Sequence, residues 1–373
     1  MTPFRHTHVS GEDWRQILAQ AAAELRGATG NLGFVYVTEP LSPNLDEVLD
    51  ALRLATKVEH WCGAVAGGIC ATGVESYERP ALAAMVADLP TDAFRVFPPI
   101  VSDLKAFDAE QKSWLGNQLP YTALVHADPG NGQTKALIEQ LAARTATGFL
   151  VGGLSSATAG KETRLIADEP CGGGLSGVLL SDAVAVQTGL SQGCTPIGPQ
   201  RRITEAQRNV IVQLDGRPAL DVFREDIGAE LARDLNQVGG LIFAGLPIRG
   251  SDTGDYLVRN LIGIDTNKRL LAIAELVEHG QDLMFCRRDL DSAREDMVRM
   301  LRHLKGRLKQ PPSGGIYVSC LGRGASLFGE DAEELKLIQE HLGEVPLVGF
   351  FANGEIFQDR MYGYTGVLTL FTG

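Results

Sequence analysis

The 373-residue sequence has no C-x-x-C pair, no zinc-ligand spacing among its cysteines and no run of about 18 apolar residues. Its six cysteines, Cys62, Cys70, Cys171, Cys194, Cys286 and Cys320, are scattered, which argues against a disulfide scaffold and suits reduced thiols. The amino terminus, Met1 to His8, carries no apolar signal-peptide core, so the chain is expected to be cytoplasmic, neither exported nor inserted in a membrane. Basic residues are in the minority. Lys plus Arg number 34 against 46 Asp plus Glu, a formal charge of -12. Such a field repels phosphate backbones and anionic bilayers, so nucleic acid and membrane are not expected as partners. No complete catalytic signature occurs either.

What is present is a repeat. One strand, one helix and a second strand running into a glycine-rich turn occur three times. The first copy joins the strand from Gly33 to Thr38, a helix with the stripe Leu45, Val48, Leu49 and Leu52, and the small-residue strand and turn from Trp61 to Gly73. The second runs from Tyr121 to His126, through a helix near Thr134 to Arg144, to Phe149 through Gly160. The third joins Gly315 to Cys320, a helix from Asp331 to His341, and Pro346 to Glu355, with a last strand from Gly366 to Phe371. An opening helix is marked by Trp14, Ile17, Leu18, Ala21, Ala22 and Leu25, with Ser10 as cap and Gly27 as stop. Strands at 177–180 and 183–189 read as a hairpin around Ser181-Asp182. Between Pro/Gly-rich breaks at 195–202 and 310–314 the pattern predicts a helix over 221–237, strands at 240–244, 270–277 and 282–286, and an amphipathic helix over 291–308. Hairpins beside strand-helix-strand crossovers imply an α/β (α+β) fold of mixed sheets flanked by helices, in two domains.

Several short motifs have bland explanations. Gly172-x-Gly174-x-x-Gly177 spells a dinucleotide fingerprint but precedes a strand, where no helix amides can face a pyrophosphate. Gly160-Lys161 lacks the leading glycine and the magnesium-binding hydroxyl of a phosphate loop. Gly189-Leu190-Ser191-Gln192-Gly193 fits a nucleophile elbow, yet Pro196 and Pro199 oppose the helix it requires. His126-Ala127-Asp128 and His6-Thr7-His8 read as a loop and a mobile tail. The third copy is the most polar, with Ser319, Cys320 and Arg323 after one strand and Asn353 and Glu355 after the next. In open α/β sheets that edge forms the ligand crevice. Arg323 can take a ligand carboxylate and Glu355 an ammonium; alternatively the two pair with each other or cap helix ends. Cys320 is also a candidate nucleophile, which requires a thiolate and a nearby base.

Taken together, Val151-Gly152-Gly153-Leu154, Gln192 to Gly198, Leu214 to Ala219, Val258-Arg259-Asn260-Leu261-Ile262-Gly263, Cys320 to Gly324, Gly349 to Glu355 and Tyr364 to Leu368 resemble the FIST family over nearly the whole chain. The resemblance implies an N-terminal helix over 1–30, a FIST N-terminal domain over 31–218 and a FIST C-terminal domain over 219–373. It also implies a bacterial sensory module for a small molecule, an amino acid or similar metabolite, and adds Arg259 to the ligand-binding candidates. No output domain is recognised, so signalling would pass through a separate protein or a homo-oligomer. Some relatives are described as haem-binding nitric-oxide sensors, but Tyr362 stands where many carry His. No cofactor is therefore expected, with haem on Cys194 or another His as the alternative, and a Cys-dependent hydrolase or acyl-transfer enzyme as a further one.

Overall fold

The computed structural model describes residues 4–115, 119–157, 164–248 and 256–372. They form two compact units: Met1–Ser191 together with Met297–Gly373, and Gln192–Asp296.

The larger unit begins with β1 (Arg5–Ser10), α1 (Trp14–Leu25), β2 (Leu32–Thr38), α2 (Leu45–Thr56), β3 (His60–Ala66), β4 (Gly68–Ala71), β5 (Val74–Tyr77) and β6 (Ala81–Ala87). The same order then recurs as β7 (Phe94–Ile100), α3 (Lys105–Leu115), β8 (Thr122–Ala127), α4 (Thr134–Ala142), β9 (Leu150–Leu154), β10 (Leu165–Ala167), β11 (Glu169–Cys171) and β12 (Leu175–Leu180). A third round opens with β13 (Val186–Gln192), after which the chain enters the smaller unit.

That unit contains β14 (Cys194–Pro196), β15 (Arg201–Gln207), β16 (Val210–Leu214), β17 (Arg217–Pro218), α5 (Ala219–Asp226), α6 (Gly228–Ala232), β18 (Ile242–Pro247), β19 (Tyr256–Asp265), β20 (Leu270–Ile273) and β21 (Asp282–Arg288). Its strands pair antiparallel in the order β21-β15-β16-β20-β19-β18, and β18 pairs back onto β21, so the sheet closes on itself. Closure removes the exposed edges an open sheet would present. Leu220, Val222 and Phe223 of α5 share its core with Ile203, Ile211, Ile242 and Phe285. The family-derived boundary at 218/219 falls inside this unit, between β17 and α5. The helix predicted over 221–237 is broken, because Gly228 takes φ +83 between α5 and α6.

The third round resumes with α7 (Leu290–Arg307), β22 (Gly314–Cys320), α8 (Gly324–Phe328), α9 (Glu333–Leu342), β23 (Leu347–Ala352), β24 (Glu355–Gln358), β25 (Arg360–Tyr362) and β26 (Thr365–Phe371). Each round has one parallel pair, β2 with β3, β8 with β9 and β22 with β23. These are the three copies read from the sequence. Among the described residues the larger unit has three six-stranded sheets, ordered β1-β6-β2-β3-β10-β11, β7-β12-β8-β9-β24-β25 and β13-β26-β22-β23-β4-β5. Each round gives its hairpin away: β4 and β5 extend the third sheet, β10 and β11 the first, β24 and β25 the second. The exchange is cyclic, a pseudo-threefold arrangement.

Packing follows the two-residue period of a strand. Phe34 and Tyr36 of β2 join Leu124, Val151, Ile316, Val318 and Phe350 in one core drawn from all three sheets. Val35 and Val37 face the opposite way, with Ile17 of α1 and Val48, Leu49 and Leu52 of α2. Val125 packs likewise with Leu137, Ile138 and Leu141 of α4. Sheets buried on both faces explain why the strands are almost wholly apolar. Gly63, Gly152 and Gly349 occupy equivalent places: a Cβ there would lie 1.7, 1.8 and 1.7 Å from the carbonyl oxygens of Val35, Val125 and Tyr317. Only glycine fits such a close approach.

Three local expectations are corrected. The residues His6-Thr7-His8 belong to β1, which pairs antiparallel with β6 and buries Thr7 and Val9; they are not a mobile tail. Ser10 closes that strand, and Asp13 caps α1 by accepting from the Arg15 amide at 2.9 Å. The segments near 177–180 and 183–189 do not form a hairpin, because β12 returns to β8 in the second sheet while β13 lies beside β26 in the third.

Candidate functional site

A cleft of about 830 Å³ opens at the carboxyl ends of the parallel strands. Four residues beyond the close-packed glycines Gly63, Gly152 and Gly349 stand Gly67, Ser156 and Asn353, and all three line it. Four beyond Val35 and Tyr317 stand Glu39 and Leu321, which line it too. The cleft therefore lies where the three rounds converge, in the crevice position expected of α/β sheets. Tyr77 and Glu78, at the end of the exchanged hairpin, and Ala157 add to its wall.

The rim is tied together across rounds. The Ser155 hydroxyl donates to the Val65 carbonyl, and the Ser156 hydroxyl donates to that of Phe351 while accepting from the Gly67 amide at 2.9 Å. Tyr77 packs its ring on Phe351 at 4.9 Å, and its hydroxyl accepts from the Ala325 amide at 3.3 Å.

Of the six residues nominated from the sequence, Asn353 lines this cleft, as an exposed side chain. Arg323 is wholly buried and already holds a carboxylate: its Nη2 and Nε lie 2.7 and 2.8 Å from Glu334 Oε1. Glu334 also accepts from the Tyr317 hydroxyl at 2.7 Å, the Ser319 hydroxyl at 3.0 Å and the Gly324 amide at 2.9 Å. The expected ligand contact of Arg323 is thus taken by α9, and Ser319 serves the same internal carboxylate. This is a third arrangement, neither ligand contact nor an Arg323-Glu355 pair. It fixes the loop between β22 and α8, because a buried charge needs every lone pair satisfied.

Glu355 is also wholly buried. Its Oε2 accepts from the Thr365 amide and hydroxyl at 3.0 and 2.8 Å, while Oε1 has no hydrogen-bond partner. Burial pushes its carboxyl up to about 8, against the opposing pull of the Thr365 hydrogen bonds and of Arg323. A mostly protonated carboxyl is a poor counter-ion for a ligand ammonium. The Cys320 thiol is pushed up well beyond the ordinary range by burial and by Glu355, so the local field opposes the thiolate a nucleophile needs. Arg259 belongs to the smaller unit, where its Nε lies 3.0 Å from Glu275 Oε2. Ser191, of the elbow-like motif, sits in β13 rather than on a strand-to-helix turn, and its hydroxyl accepts from Arg323 Nη2 at 3.4 Å. The Gly160-Lys161 motif lies outside the described residues.

The sequence missed Glu39, Tyr77, Glu78 and Ser156. For Glu39 and Ser156 a signal was available: superposing the three copies on their shared glycine brings out the residues just past each strand. Tyr77 and Glu78 become neighbours of the cleft only through the hairpin exchange.

Haem, the alternative cofactor, needs an axial ligand facing a cavity. Among their described lining residues, neither this cleft nor a smaller apolar cavity of about 150 Å³ lined by Tyr121, Phe149, Val151, Leu180 and Val186 among others has a histidine, cysteine or methionine, although each has a tyrosine, Tyr77 in the one and Tyr121 in the other. Cys194 is buried in β14, with its carbonyl accepting from the Tyr256 hydroxyl. Among the described residues no cluster of three or more His, Cys, Asp or Glu is arranged to hold a metal ion, and no helix is long and apolar enough to cross a membrane.

Comparison with known proteins places a FIST N domain at residues 31–217 and a FIST C domain at 219–358. The chain is 32% identical over 380 residues to the uncharacterized protein Rv0628c of Mycobacterium tuberculosis, covering 96% of this chain and 97% of that one. It is 28% identical over 377 residues to the uncharacterized protein Mb0898c of Mycobacterium bovis, covering 96% of each. Domains of this kind are linked to small-ligand sensing in signal transduction.

Proposed function

Because the chain belongs to the FIST family, with both of its domains matched, we propose that it is a cytoplasmic small-molecule sensor whose ligand, an amino acid or similar metabolite, binds in the cleft at the convergence of the three rounds. The observation that carries this reading is the position of Gly67, Ser156 and Asn353: equivalent residues of all three rounds meet in one cavity of ligand size. The rim is held by internal hydrogen bonds, so the site is formed before a ligand arrives. No chemistry on the ligand is required. Output passes to a separate signalling protein or through self-association of the chain.

A thermal-shift panel of amino acids and related metabolites tests this. A ligand at about 100 times its Kd adds roughly 2.7 kcal/mol to the native state, enough to raise Tm by several degrees. Asn353→Trp, which fills the cleft from an exposed position, is expected to abolish the shift and leave the unliganded Tm unchanged. A shift that survives this substitution would move the site elsewhere.

A further inference from the structure

The smaller cavity, of about 150 Å³, lies at the amino ends of β8 and β9, at the other end of the parallel strands from the cleft. Tyr121 and Phe149 stand just before those strands, while Val186 and Thr369 come from β13 and β26, so its wall joins the second sheet to the third. The equivalent places in the pseudo-threefold arrangement are filled. β1, β7 and β13 open the three rounds, with Phe4 immediately before β1, Phe94 first in β7 and Val186 first in β13. Phe4 packs on Phe371 with ring centroids 5.5 Å apart, and Phe94 meets His60 edge-on at 5.8 Å. His60 is the equivalent of Phe149, each standing three residues before its close-packed glycine, Gly63 or Gly152. Gly314 is likewise the equivalent of Thr122, three residues before Tyr317 and Val125, and a Cβ on it would lie 2.5 Å from Phe4 and 3.1 Å from the Met85 sulfur. Met85 in turn corresponds to Thr369: each follows the partner of an equivalent strand residue, Ala84 opposite Val35 and Leu368 opposite Tyr317. Two places therefore hold a phenyl ring, one of them with a methionine beside it. The place of Val186 and Thr369 holds neither.

The wall is formed and mostly apolar. Thr122 Oγ1 donates to the Phe149 carbonyl at 2.5 Å and Thr147 Oγ1 to that of Tyr121 at 2.6 Å, so both hydroxyls are committed to the backbone. Phe149 is braced edge-on by Phe357, with ring centroids 4.8 Å apart. Tyr121 is 41% exposed, which places one side of the cavity at the surface. A largely apolar space of this volume accepts a molecule about the size of benzene. We propose that it is a second ligand site, separate from the cleft and selective for a neutral single-ring aromatic, which supplies between the second and third sheets the ring that Phe4 and Phe94 supply at the other two places. An anionic ring is disfavoured, because none of the described lining residues is a cation that would offset the burial of its charge.

The test titrates the full chain with toluene, phenol and benzoate and follows Tm. Toluene and phenol near saturation are expected to raise it by a few degrees and benzoate to leave it unchanged. Val186→Phe adds the ring that the other two places carry, and Thr369→Met adds the equivalent of Met85. Each is expected to raise the unliganded Tm and to abolish the toluene and phenol shifts, whereas Asn353→Trp, which fills the cleft, leaves those shifts intact. Should Val186→Phe fail to fold, Thr369→Met carries the comparison. Xenon diffused into crystals should lodge between Phe149 and Val186, a readout that needs no variant. Absence of any toluene or phenol shift, or shifts that persist in a folded cavity-filled variant, would overturn the proposal. So would a benzoate shift as large as that of toluene, or xenon found only elsewhere. A wild-type dimer that dissociates on Val186→Phe would overturn it too, because the cavity would then take a side chain from a second copy of the chain.

Discussion

Replacing Glu355 with Gln should make the protein more stable in mildly alkaline solution and flatten its stability profile against pH. The wild-type side chain is fully buried, and burial raises its carboxyl to about 8. In the unfolded chain the same group titrates near about 4.3. The native state therefore holds a proton that the unfolded state releases, and stability falls as pH rises between those two values. Between about pH 6 and about pH 8 the loss attributable to this one group is about 2 kcal/mol, tapering as the native carboxyl itself ionises. Glutamine has the shape of the protonated acid and keeps an oxygen for the Thr365 amide and hydroxyl, now at 3.0 and 2.8 Å from Oε2. Glu75, raised to about 7 by burial and by Glu334, drives the wild type in the same direction but is present in both proteins. His8 and His126, lowered to about 4 and about 3 by burial, act at lower pH and are likewise shared. The difference curve isolates Glu355. Urea unfolding of both proteins at half-unit pH steps gives it directly. Parallel curves would refute the argument, and a variant that is less stable at every pH would mean that Glu355 is ionised and held by an unseen cation.

Arg323→Ala should destabilise the fold by roughly 3–5 kcal/mol, because it leaves the Glu334 carboxylate buried without its cation. Adding Glu334→Gln to it should recover much of that loss in chemical denaturation, an outcome that a ligand-binding role for Arg323 does not anticipate. Cys320 should react with iodoacetamide more slowly than an ordinary thiol near neutral pH, since its environment opposes the thiolate. Rapid alkylation would restore the nucleophile.

The repeat was legible because it is written in features that packing demands locally. Gly63, Gly152 and Gly349 must be glycine because a Cβ at any of them would lie 1.7 to 1.8 Å from a carbonyl oxygen of the neighbouring strand, so the same letter recurs at the same place in each copy. The apolar strands followed from burial on both faces, as did the stripe of α2. Long-range pairing was not legible. Nothing near Ser181-Asp182 says that β12 and β13 belong to different sheets, because a hairpin and a sheet-to-sheet crossing can share one short turn. The same limit misled the choice of site. Arg323 and Glu355 look like ligand contacts when read beside their strands, and only α9 and the start of β26 supply the partners that bury them.

The hairpin exchange also determines when the cleft exists. Tyr77 follows β3 in the chain, yet β5, which carries it, completes the sheet of β22 and β23, and its hydroxyl meets the amide of Ala325. Glu39 comes from the first round, Ser156 from the second and Asn353 from the third. No single round can form the wall, so any ligand that fills it binds only the assembled larger unit and must stabilise all three sheets together. Hydrogen exchange in β3, β9 and β23 should accordingly slow in concert on ligand binding, because a ligand that favours the native state alone lowers every opening that dismantles its site.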